Sequence, residues 1–184
     1  MGSNTAVRTR AAAAAILLAG GAVAFGAFWV TDVVTSGVGG LPWTLSLAVH
    51  GLGVMGLATG LGLLAAEIGE PAAARNALVT GTVATTVGLV AWIPALVAGF
   101  GLVALGLWRA GWSRVLVGFV TAGAAGLAVA LVSRYRIAGN PILGEGAPPW
   151  DAWSRTWFVG SVVVLSAAMI GIAASLLRRR GTPG

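Results

Sequence analysis

The chain alternates long apolar runs with short breaks rich in glycine, proline or charge. The first run covers residues 11–34, after the basic opening "MGSNTAVRTR". "TSGVGGLP" interrupts it, with its glycines and Pro42 as helix breakers. A second run, 43–66, ends at "EIGEPAAARN", where Gly69, Glu70 and Pro71 read as a stop and a restart. Proline suits the first turn of a helix, and an acid beside that turn complements the helix dipole. From Asn76 to Trp108 there is no charge over roughly 33 positions, and one helix of that length would reach ~50 Å against a bilayer core of ~30 Å. The pattern therefore predicts two helices, over 71–91 and 94–108, turning at "WIP". Two more runs, 115–133 and 156–177, flank "RYRIAGNPILGEGAPPWDAWSR", the one long loop. Residues 178–184 form a basic tail.

These runs have the length of bilayer spans. The predicted fold class is all-α: one polytopic transmembrane helical bundle over residues 11–177, with six spans, or five as the alternative. Composition agrees, with 58% hydrophobic residues, 9% charged residues and a mean hydropathy of +0.93. An ordinary soluble domain has about a quarter of its residues charged. The net charge of +6 comes entirely from arginine, since no lysine occurs. The arginines sit at the ends of apolar runs, as topology signals do, so a nucleic-acid partner is not expected. With six spans and the N-terminus inside, Arg8, Arg10, Arg75, Arg109, Arg114 and Arg178–Arg180 fall on the cytoplasmic side. Only Arg134, Arg136 and Arg155 fall outside. Five spans would strand Arg109, Arg114 and the C-terminal triplet outside, so the positive-inside rule favours six, with both termini cytoplasmic. "AVA" at Ala22–Ala24 could pass for a signal-peptide cleavage site. The apolar run continues beyond it through Phe25, Phe28 and Trp29, and reads as an uncleaved span. The alanine, glycine and arginine bias is that of a GC-rich bacterial genome, and the expected location is the cytoplasmic membrane. No cysteine is present, which excludes disulfides, thiolate metal sites and thiol redox chemistry.

Candidate chemistry is sparse. "AVHGLGVMGLATGLGLLAAE" is rich in glycine, but a phosphate-cradling Walker loop needs a lysine and a strand before it. Spacing favours close helix packing: Gly53, Gly56 and Gly60 in the second run, Ala122, Gly126 and Ala130 in the fifth, and Ala167, Gly171 and Ser175 in the sixth. The same stretch holds the only histidine, His50, about 12 Å from the outer end of its run. Ionisable groups at such depth are functional candidates. The plainer reading is a neutral imidazole hydrogen-bonded to a hydroxyl or carbonyl of a neighbouring helix. Asp32 lies near the outer end of the first run, ~7 Å from the depth of His50. Water or a substrate would have to bridge the two, and the plainer reading has Asp32 reaching outward to the interface. Thr80, Thr82, Thr85 and Thr86 give the third run a hydroxyl-rich character, and Thr82 and Thr86 share a face suited to a ligand or to His50. Glu67 and Glu70, near Arg75, read as a solvated boundary pair. In the long loop, Glu145, Trp150, Asp151 and Trp153 are further ligand-binding candidates, on a cap or lid. Trp29, Trp43, Trp92, Trp108, Trp112 and Trp157 fit the interfacial aromatic belt. Neither a metal site nor a cofactor is expected.

The stretch at Ala48–Glu67, followed by "GFGLVALGLWRAGWSRVLVGFVTAG", resembles a loose group of uncharacterised multi-span membrane proteins of GC-rich actinobacteria. The resemblance covers about a quarter of the chain and implies no activity. Three functions are consistent with the residues. The first is a non-catalytic bundle that packs with itself or with a membrane-protein partner, as an accessory subunit. The second is an intramembrane enzyme on an isoprenoid- or quinone-like substrate, with His50 and Asp32 as acid–base groups. The third is a small transporter or channel. The scarcity of titratable groups favours the first.

Overall fold

A computed structural model describes residues 2–35, 43–68, 70–90, 93–138 and 151–179. They form α1 (Gly2–Thr35), α2 (Trp43–Glu67), α3 (Ala72–Val90), α4 (Ile93–Arg109), α5 (Arg114–Ala138) and α6 (Ala152–Arg179). No strand occurs among the described residues. Four helices, α1, α2, α5 and α6, contain stretches long and apolar enough to cross a membrane; α4 is apolar but shorter.

Several helices outrun the apolar runs. The basic segment before residue 11 is part of α1, which has 34 residues in all. Nothing in "SNTAVRTR" breaks a helix, so the first turns continue the run that follows. The long loop also shrinks from both sides. α5 extends through Arg134 to Ala138, and α6 begins at Ala152. Asp151 sets that start as an N-cap. Its Oδ1 accepts the Ser154 backbone N–H at 2.8 Å, and its Oδ2 accepts the Ser154 hydroxyl at 2.8 Å. These bonds, the backbone one first, hold the Asp151 carboxyl below its ordinary value. At the start of α3, Glu70 Oε2 accepts the Ala72 N–H at 3.1 Å, which satisfies one of the free donors of the first turn.

Each helix packs on its neighbours in the chain, and α6 closes back on α1. The result is a ring of three antiparallel hairpins, α1–α2, α3–α4 and α5–α6. Phe25 and Phe100, with ring centroids 6.3 Å apart, join α1 to α4 across the ring. The core around them includes Leu18, Leu57, Leu78, Leu127, Phe158 and Met169, all at most 1% exposed. The outside is also apolar: Ile16, Leu52, Met55, Val90 and Val115 are each 65–70% exposed. Apolar side chains on both faces of every helix suit a lipid solvent rather than water.

Glycine brings the hairpins together. A Cβ on Gly56 would lie 2.6 Å from the Gly21 Cα, so α1 and α2 touch backbone to backbone. Gly53 and Gly60 extend the contact to Phe25 and Leu18. The α3–α4 seam uses Gly81 and Gly88 on one helix, and Gly99 and Gly106 on the other. In the α5–α6 seam, Gly123 receives Leu165, and Gly126 receives Ser161. Ala130 is buried, whereas Ala122 is exposed. On α6 the expected stripe lies to one side. Ala167 is exposed, Ser175 is half-buried, and a Cβ on Gly171 would lie 2.7 Å from the tip of Leu116. The buried stripe of α6 runs instead through Phe158, Val162, Leu165, Met169 and Ile172.

The α4–α5 turn is a full Schellman motif. Gly111 takes φ 69°, a left-handed conformation that glycine tolerates without strain. The Trp112 N–H reaches Leu107 O at 3.0 Å and the Gly111 N–H reaches Trp108 O at 3.1 Å. Trp112 and Leu107 are both buried, as the motif's hydrophobic contact requires.

Candidate functional site

His50 lies in the second turn of α2 and meets the end of α3. Its Nε2 lies 3.0 Å from the carbonyl oxygen of Leu89. A carbonyl can only accept, so Nε2 carries the proton in this bond. Leu89 is one residue from the end of α3. Its carbonyl is one of the last four, which have no intrahelical donor. α2 begins seven residues before His50, so α3 stops roughly 10 Å short of the α2 start. The bond is partly buried, and a buried acceptor left unsatisfied costs about 1–3 kcal/mol. His50 supplies one missing donor.

Aromatic rings surround the imidazole. Phe28 lies 4.4 Å and Trp29 6.0 Å from it, centroid to centroid. Trp29 also packs edge-on against Phe158 of α6 at 5.3 Å. The His50 contact thus draws α1, α2, α3 and α6 into one cluster. The Trp29 indole nitrogen is buried with no hydrogen-bond partner. Trp29 is therefore part of this cluster, and Trp112 is only 6% exposed. Trp108 and Trp157, at 62% and 39%, are exposed. Of the other belt candidates, Trp92 and the side chain of Trp43 lie outside the described residues.

The remaining candidates do not converge on His50. Asp32 is exposed in the last turn of α1. No hydrogen bond or ion pair joins it to His50 among the described residues. Thr82 and Thr86 each donate to the carbonyl four residues back, Leu78 O and Thr82 O, at 2.8 Å. Their donors are spent inside α3. Asp151 is occupied as a cap, and Trp153 sits on the first turn of α6, 61% exposed. Glu145 and Trp150 lie outside the described residues. Among the described residues, no group of three histidine, cysteine or acidic side chains converges on a metal position.

Of the four threonines that mark the third run, Thr85 is the one fully buried with an unpartnered hydroxyl, against Gly99. Sequence reasoning passed over the α3–α4 glycines. Their signal was present: Gly81 and Gly88, like Gly99 and Gly106, are two helical turns apart. On the outer surface, Gly20, Gly21 and Gly56 floor an open apolar groove of about 440 Å³ between α1 and α2, walled by Ile16, Leu52 and Met55.

Apolar inner and outer faces, spanning-length helices and glycine seams together define a helical membrane protein. Comparison with known protein families, curated proteins and solved structures finds no match.

Proposed function

We propose that the chain is a six-span protein of the cytoplasmic membrane that acts by packing and not by chemistry. It associates with itself or with a membrane-protein partner as an accessory subunit. The observation that carries this reading is the His50–Leu89 bond. The one deep imidazole is engaged in closing a helix end, and the nearest acid faces outward. The ring supports the topology. Its antiparallel order puts Arg10, Arg75, Arg109, Arg114, Arg178 and Arg179 at one end, and Arg134 and Arg155 at the other. The richer end is cytoplasmic by the positive-inside rule, which puts both termini inside. α3 and α4, with 19 and 17 residues, reach ~28 and ~25 Å, close to the ~30 Å core. The open groove between α1 and α2 supports a packing role.

Native mass spectrometry from mild detergent, on the native chain and His50→Ala, tests the function. The expected result is the same assembly for both, with no bound small molecule whose retention depends on His50. The variant should unfold more easily by about 1–3 kcal/mol, the cost of an orphaned buried acceptor. A defined apolar molecule held by the native chain and lost in the variant would overturn the reading. The topology has a separate test, since the native chain lacks cysteine. Ile93→Cys should label in intact cells, and Gly181→Cys only after permeabilisation. Both labelling only after permeabilisation would rule out six spans with the N-terminus inside.

A further inference from the structure

The arginines at the cytoplasmic end are not spread evenly. Arg179 lies over the ring of Trp112, with its guanidinium carbon 4.5 Å from the centroid. That contact ties the end of α6 to the α4–α5 turn. Trp112 has Arg109 three residues before it and Arg114 two after it. Arg178 precedes Arg179 in the last turn of α6. Arg109 and Arg114 thus flank one turn in the chain, Arg178 and Arg179 end the helix tied to it, and all four are exposed. None of them makes an ion pair with a carboxylate among the described residues. The two acids at this end, Glu67 and Glu70, belong to the α2–α3 side of the ring.

Two features set the depth and the sign of this cluster. Trp108, 62% exposed and adjacent to Arg109, is the amphipathic residue that settles at headgroup level. The α5 N-terminus begins at Arg114 and adds its partial positive charge to the same place. A concentrated, unneutralised positive patch beside interfacial tryptophan calls for a phosphate-bearing anion at the membrane surface. Guanidinium forks match phosphate oxygens two at a time.

We infer that Arg109, Arg114, Arg178 and Arg179, arranged around Trp112, form a binding site for the headgroup of an anionic phospholipid. The site rests on the membrane reading above, in which this end faces the inner leaflet. Trp112 fixes the Arg179 guanidinium, and Arg109 and Arg114 close the site from the α4–α5 turn.

The test is lipid retention in native mass spectrometry, with phosphatidylglycerol and phosphatidylcholine of matched chains offered in equal amounts. The native chain should hold phosphatidylglycerol preferentially. Arg109→Gln/Arg114→Gln should weaken that hold by on the order of fivefold per arginine, as expected for basic residues at an anionic surface. Arg10→Gln/Arg75→Gln removes the same charge elsewhere at this end and should leave the preference intact. Melting of each variant in phosphatidylcholine alone confirms that it is folded. Equal retention of the two lipids would overturn the site while leaving the membrane reading in place. An equal loss from both double variants would overturn it too, by reducing it to net charge. Protection of the native chain by inorganic phosphate as strong as that by phosphatidylglycerol would refute a lipid ligand.

Discussion

Gly56→Ala tests whether bare backbone contact positions α1 against α2. The added Cβ would lie 2.6 Å from Gly21 Cα, 2.9 Å from Gly21 N and 3.0 Å from Leu17 O. Ordinary carbon contacts are about 3.5–4.0 Å. All three obstacles are backbone, so no rotamer change can relieve them. The helices must part by about 1 Å, and a gap of that size forfeits a quarter to a half of each neighbouring contact's dispersion energy. The contacts at Gly53–Phe25 and Gly60–Leu18 share the loss. Overpacking of this kind costs about 1–3 kcal/mol. Alanine returns up to about 1 kcal/mol through its higher helix propensity. With the full propensity gain the expected net loss is about 0–2 kcal/mol. Gly62→Ala gives the reference, because nothing lies within 4 Å of a Cβ there, on the same helix. It should be neutral or stabilising by up to about 1 kcal/mol. Reversible unfolding in mixed detergent, followed by tryptophan fluorescence, measures both. Propensity cancels in the difference between the two variants, leaving the overlap of about 1–3 kcal/mol. If Gly56→Ala proves as stable as Gly62→Ala, the close approach of α1 and α2 contributes nothing and the argument fails.

Thr85→Val exchanges a buried, unpartnered hydroxyl for a methyl of similar shape. It should be as stable as the native chain or more stable, whereas Thr85→Ser keeps the orphan and gains nothing; a clear loss in thermal unfolding of the valine variant would reveal a hydroxyl that is bonded after all. The Asp151 cap makes the start of α6 sensitive to acid. Its folded-state carboxyl is lowered from 3.8, so the cap is fully present above that value and is lost as pH falls through the lowered one. Amide exchange at Ser154, corrected for intrinsic rates, should accelerate over that acid range in the native chain and be already fast and flat in Asp151→Ala. His50→Gln, which offers a side-chain donor to Leu89, should recover part of the stability lost in His50→Ala; no recovery would mean that the ring's aromatic contacts matter more than its bond.

The sequence by itself determined the class and the order of elements. Apolar runs separated by glycine, proline and charge mark helices wherever they lie, because both solvent and chain breaks act locally. The six helices follow the six runs, with α3 ending at Val90 and α4 starting at Ile93, close to the expected break. The ends were less legible. Asp151 and Ser154 start α6 early by capping, a local signal masked by the apparent loop around it. Neighbours came only from the tertiary structure. Small-residue spacing announces that some helix can come close, not which one. Gly56 meets Gly21, whereas Ala167, with the same kind of spacing, is left exposed on α6. His50 shows the same division. Its depth marked it as unusual, but its partner is a backbone carbonyl, and every residue type carries one. Only the point at which α3 ends, 39 positions along the chain, decides that Leu89 is the carbonyl left without a donor.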